Sequence, residues 1–280
     1  MFGDEAALAN LARRNPVARR LLMHGGVPPL ATAQWVGLSV AFVTVTGHIL
    51  SINSLGEDRL WVYLLLMLVL LILPLAVATR ATLFVTQEMN RPGFDLLLVT
   101  PLPPEAFVQA FVRIVRYRGR LWLAVGYGLL PVLISPLLVE VIFAPVGYSS
   151  TEVMLALIAL VSLLAFALGP LALCRTAQVV AVRVGVVWRG APWVALLLAP
   201  AYTLLTGLTC TAVVLVPAYC LLVLVSPSLG LTSLGMVGDI FVLTAIPTGI
   251  FGTIDWLIGG PAYRWWLERA ARAVVAITER

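Results

Sequence analysis

Few residues in this chain could do chemistry. Of 280 residues, 18 are basic, 13 acidic and two histidine, and every basic residue is an arginine. The phosphate-binding loop of an ATPase needs a lysine on the nucleotide phosphates. A chain without lysine holds no such loop, so any ATP its work consumes is hydrolysed by another subunit. Neither HExxH nor GxSxG occurs. Cys174, Cys210 and Cys220 sit in apolar surroundings without metal-ligand spacing and read as small buried hydrophobes. The sequence therefore predicts no enzyme, no cofactor and no metal site.

What remains is a set of isolated polar groups within apolar runs. Placing a charge in hydrocarbon costs about 2.5–3.5 kcal/mol even on the lenient insertion scale, so each needs a reason. His48 and Glu140 fall toward the outer ends of apolar runs, Asp239 begins one, and Arg80 ends one where it can snorkel to the headgroups. Asp255, beside Trp256, is expected to pair with an arginine of a neighbouring loop. No chain of acids suggests a proton relay. The longest polar stretch is the island QEMNRPGFDLLLVTPLPPE at 87–105. Phe94 and Leu96 to Leu98 provide an apolar anchor for a short helix, which Thr100 before Pro101 ends, because the residue preceding proline leaves helical geometry. Pro103 and Pro104 stiffen the turn, and Glu105 opens a new helix where an acid suits the dipole.

The elements that must hold these groups are set by hydropathy. The chain is 61% hydrophobic and 11% charged, with mean hydropathy +1.03, far from the roughly 45–50% apolar and 25% charged of globular domains. This is an all-α polytopic integral membrane protein, with lipid as the solvent of its outer surface. Spans of about 20 apolar residues are predicted at 31–53, 60–83, 121–143, 153–174 and 238–260. The uncharged stretch 192–226 is too long for one straight span and barely long enough for two. It is expected to cross once and fold back as a re-entrant half-helical pair, with Gly207 opening the break and Pro217 in the returning half, together a candidate gate.

Arginines cluster before the first span, between the second and third, after the fourth and after the last. Positive loops stay inside. Six transmembrane helices with both termini cytoplasmic satisfy every segment, in the inner (plasma) membrane, and put the island on the cytoplasmic face. Without a cleavable leader pattern, the spans themselves serve as targeting signal. The net charge of +5 thus reads as orientation and not as nucleic-acid binding. One domain, 1–280, is expected. It comprises an amphipathic surface helix in 1–30 bent at Pro16, a cytoplasmic loop at 84–120, and a C-terminal amphipathic helix at 261–280 with Trp266, Ala270, Val274 and Ile277 on one face.

The island resembles the cytoplasmic loop of the type-2 permease subunits of ABC exporters. Glu88, Phe94, Asp95, Leu96 to Leu98, Thr100, Pro101 and Leu102 match that family's run of acid, aromatic, acid, leucines and Thr-Pro-Leu. The sequence departs from it at Pro92-Gly93, where the family has Gly-Thr, at Asn90, and at Phe111, where a basic residue is common. The resemblance implies a coupling helix between spans two and three. Glu88, Phe94, Asp95, Thr100, Pro101, Leu102 and Glu105 would dock it on an ABC ATPase subunit, with a second permease subunit, identical or not, completing the path among membrane lipids. The alternative is a non-transporting scaffold or accessory subunit of a larger membrane complex.

Overall fold

The protein was analysed as a computed structural model, which describes residues 5–23, 26–51, 59–98, 102–142, 150–225 and 249–279. Among the described residues there is no strand. In chain order the helices are α1 (Glu5–Arg14), α2 (Pro16–Met23), α3 (Leu30–Ser51), α4 (Arg59–Met89), α5 (Asp95–Leu98) and α6 (Pro104–Arg118). They continue as α7 (Arg120–Ile142), α8 (Ser150–Val187), α9 (Pro192–Val225), α10 (residues 249–257) and α11 (Tyr263–Thr278). A π-helical turn, Ile258–Ala262, joins the last two. Among the described residues four helices are long and apolar enough to cross a bilayer, through Leu30–Gly47, Leu68–Met89, Leu168–Val187 and Pro192–Ala218. The chain is a helical membrane protein. The expected span at 238–260 lies outside the described residues up to 248, as does Asp239.

Local sequence accounts for the helix ends. The bend expected at Pro16 is a true break, because Asn15 caps α2: its side-chain oxygen accepts from the backbone N–H groups of Val17 and Ala18 at 2.9 and 3.3 Å. Pro16 takes the first helical position, where a missing N–H costs nothing. α6 starts without a side-chain cap, with Pro103 before it, Pro104 at its first position and Glu105 in its first turn.

Within the bundle α4 packs along α8 and α9, and α3 pairs with α7. The last pairing is backbone to backbone. A Cβ on Gly128 would stand 2.5 Å from the carbonyl oxygen of Gly37, the small-residue contact that lets membrane helices approach. The outward faces of α3 and α9 carry exposed Trp35, Leu38 and Phe42, and Leu197, Leu204 and Leu208, as helices solvated by lipid do.

Helix length is where the structure departs from expectation. α4, α8 and α9 contain 31, 38 and 34 residues, or about 47, 57 and 51 Å at 1.5 Å per residue. The hydrocarbon is about 30 Å thick. Each helix is longer than the hydrocarbon is thick, and at the end of the bundle where α4 and α8 finish and α9 begins they pack with α1, α2, α5, α6 and α11 into a protein body. Its core includes Leu21, Val85, Phe94, Phe111, Val182 and Trp266. The half-helical pair is overturned over 192–225: α9 is unbroken through Pro200, Gly207 and Pro217. The length that looked like a fold-back belongs to one continuous helix. Gly207 serves packing instead, since a Cβ there would lie 3.0 Å from Leu173 Cδ2.

A continuous helix at Gly207 makes a direct prediction. Gly207→Ala should leave the thermal midpoint in detergent unchanged or raised, because alanine gains about 1 kcal/mol of helix propensity and the Leu173 side chain can rotate aside. A clear drop in the midpoint would show that the position needs glycine's backbone freedom.

Candidate functional site

The island folds into a knuckle at the end of α4. At its base Glu88, only 1% exposed, pairs with Arg91 at 2.9 Å. The chain then turns, and the Asn90 amide donates to the carbonyl of Arg189 at 2.9 Å, tying the turn to the segment between α8 and α9. Gly93 adopts φ +74°, a left-handed conformation open to glycine at little cost. Pro92-Gly93 therefore makes the corner. Arg20 of α2 clamps it, Nη1 donating to the Gly93 carbonyl at 2.8 Å and Nη2 to that of Pro92 at 2.7 Å.

The corner delivers Phe94 into an aromatic cluster. Its ring, 0% exposed, meets Phe107 at 5.8 Å and Phe111 at 5.9 Å in edge-on geometry, while Phe111 also approaches Phe84 of α4 at 6.4 Å. Edge-to-face contacts of this kind add about 0.5–1.5 kcal/mol each beyond area burial. Phe111 is thus apolar because it is a core residue of the junction. Arg118 closes the assembly, its guanidinium 3.9 Å over Phe84 and its Nη2 donating to the Leu21 carbonyl at 3.0 Å. Burial lowers the Arg118 pKa from its usual value, and the negative charge of Glu88 opposes that shift.

The predicted site residues separate into two groups. Glu88 and Phe94 point inward and cannot touch a partner; they shape the knuckle. Leu102 is half-buried against the core, whereas Glu105 is exposed. Asp95 projects outward, with 84% of its side chain exposed and an ion pair to Arg189 at 3.3 Å. Leu96, which sequence reasoning treated as an anchor, is 74% exposed at the tip, while Leu97 packs inward. Thr100 and Pro101 lie outside the described residues. Sequence reasoning missed Arg20 and Arg118 as the clamps, because nothing local marks which carbonyl a distant arginine will reach.

A second feature lies within the apolar bundle. A cavity of about 400 Å³ is walled by α4, α8, α9 and α10, with Pro74, Pro170, Leu173 and Gly207 among its lining and Asp255 its charged residue. A Cβ on Gly169 would stand 3.1 Å from Asp255 Oδ1, so glycine makes room for the carboxylate. Among the described residues no arginine reaches Asp255 within salt-bridge distance; the ion pairs are Arg91–Glu88 and Arg189–Asp95. The expected pairing is replaced by an apolar enclosure. Gly207 lines this cavity; Pro217, farther along α9, does not. Among the described residues no group of three metal-ligating side chains occurs.

No protein-family model, no curated protein and no solved structure matches the chain.

Two substitutions test this geometry. Gly93→Ala should cost about 1–2 kcal/mol, the penalty of a left-handed conformation for a residue with a Cβ, and lower the melting midpoint accordingly. Asp255→Asn should leave the midpoint unchanged or raise it, since it removes a carboxylate without a cationic partner. Were Asp255 paired with a buried arginine, the same change would cost about 3–5 kcal/mol.

Proposed function

We propose that the chain is the permease subunit of an ABC-type exporter. It pairs with a second permease subunit and takes mechanical force from a separate ATPase subunit. The observation that carries this reading is the build of the knuckle: an exposed tip of Asp95 and Leu96 on a base fixed to four elements at once. Arg20 fixes it to α2, the phenylalanine cluster to α4 and α6, and Asn90 and Arg189 to the α8–α9 turn. A loop that only connected two spans would need none of these bonds. Force on the tip reaches α4 and α8 without a soft joint between, and these two helices form a wall of the Asp255 cavity. A rigid lever on a two-state bundle biases one state over the other.

In this reading six spans cross the inner (plasma) membrane with both termini and the knuckle cytoplasmic, as the arginine distribution favours. ATP hydrolysis belongs to the partner. The cavity, apolar with one carboxylate, suits an apolar cargo carrying a hydrogen-bond donor or positive charge.

Leu96→Arg tests the tip without touching the base, since Leu96 is 74% exposed and takes no part in the bonds that hold the knuckle. The substituted chain should insert and melt like the parent. Its co-purification with a P-loop ATPase, identified by mass spectrometry, should fall by about tenfold or more, the scale of an interface hot spot. Unchanged ATPase association would sink the coupling reading. Co-purification with a larger membrane complex free of any ATPase would establish the scaffold alternative.

A further inference from the structure

A second cavity, of about 340 Å³, lies between α8, α9 and α11, away from the knuckle and from Asp255. Two arginines line it: Arg183 on α8 and Arg269 on α11. Each is stacked on a tryptophan, Arg183 at 5.0 Å from the Trp266 ring centre and Arg269 at 3.8 Å from that of Trp265. Stacking fixes a guanidinium plane and attracts the cation to the ring face, yet leaves the positive charge uncompensated. The charges also repel one another, for Arg183 feels both Arg269 and Arg272. Among the described residues neither ion pair involves these arginines.

The hydrogen-bond accounting points the same way. Arg269 Nε is buried and has no acceptor, and a buried donor left unpaired costs about 1–3 kcal/mol. Two of the neighbouring polar groups are committed to each other and to the backbone. Trp266 Nε1 donates to Thr206 Oγ1 at 3.0 Å, and that hydroxyl donates to the Tyr202 carbonyl at 2.7 Å. An incoming anion with several acceptor oxygens would satisfy both arginines at once.

We propose that this cavity is a binding site for the phosphate headgroup of an anionic phospholipid. A phosphodiester bridging Arg183 and Arg269 supplies the acceptors and the charge that the site lacks. A lipid fits better than a free phosphate because the remaining wall is apolar, formed by Leu205, Cys210 and Ala262. It continues along α9 to the exposed Val216, three turns from Leu205 on the same face. The setting also fits. Tyr202, Trp265 and Trp266 border the cavity, aromatic residues of the kind that mark a membrane interface. A lipid there would fasten α11 to α8 and α9. The site does not depend on whether an ATPase docks at the knuckle.

The test is native mass spectrometry of the purified full chain in micelles containing equal phosphatidylglycerol and phosphatidylcholine. The chain should retain phosphatidylglycerol preferentially, by about fivefold for each arginine engaged. Arg183→Gln and Arg269→Gln should each remove about that factor, while Arg264→Gln, exposed on the same helix, should change nothing. Equal retention of the two lipids by the unaltered chain overturns the proposal whatever the variants do. So does an equal loss in the Arg264 variant, which would reduce the effect to general surface charge. Glycerol 3-phosphate should not displace the lipid; if it does so at comparable concentration, the site is one for a soluble anion and the lipid assignment is wrong.

Discussion

A bilayer offers its helices about 30 Å of hydrocarbon, and α4, α8 and α9 are each at least half as long again. Whatever part of them lies outside the hydrocarbon has to be covered by protein or water, and at the end where α4 and α8 finish and α9 begins it is packed by protein. α2 and α6 close over the emergent end of α4, and α11 lies along that of α8, so that a single buried cluster runs from Val17 to Val274. The bundle inside the membrane is by contrast apolar on its outside and held by close helix contacts such as Gly37 against Gly128.

The absence of lysine belongs to the same design. Where the helices emerge, polar backbone groups at helix ends and turns must be satisfied beside aromatic packing. Arginine does both with one side chain: its planar fork bonds two carbonyls at Pro92 and Gly93, and its face lies over Phe84, Trp122, Trp265 or Trp266. A lysine ammonium in these positions would keep the charge and lose the fork and the stack. The arginines thus join the parts of the packed body.

The sequence showed the apolar helices, a bend at Pro16 and the apolar face of α11 clearly, because each leaves a local mark: a hydropathy run, a proline, a 3.6-residue stripe; that the bend is a full break capped by Asn15 came from the structure. It also marked the knuckle, through its prolines and its leucine run. The length of α9 was misread because hydropathy reports which residues tolerate lipid and not which are in it; uncharged residues beyond the bilayer look the same as those inside. Phe94 and Glu88 were assigned to a surface because a motif conveys residue types without their direction. The cavities at Asp255 and at Arg183 and Arg269 join helices distant in sequence, so no window along the chain contains them. Asp255 was expected to find an arginine by charge balance alone, but the nearer neighbours supplied by the fold are Gly169 and the leucines of α8 and α9.

The central claim is that the emergent body faces the cytoplasm and presents Leu96 to a partner there. It is tested most directly by placing a cysteine at that position, Leu96→Cys, in a chain whose three native cysteines are replaced, and exposing intact cells and inverted membrane vesicles to a membrane-impermeant maleimide. The account predicts labelling in inverted vesicles, none in intact cells, and protection in the vesicles when the partner is bound. Labelling from outside intact cells would contradict it.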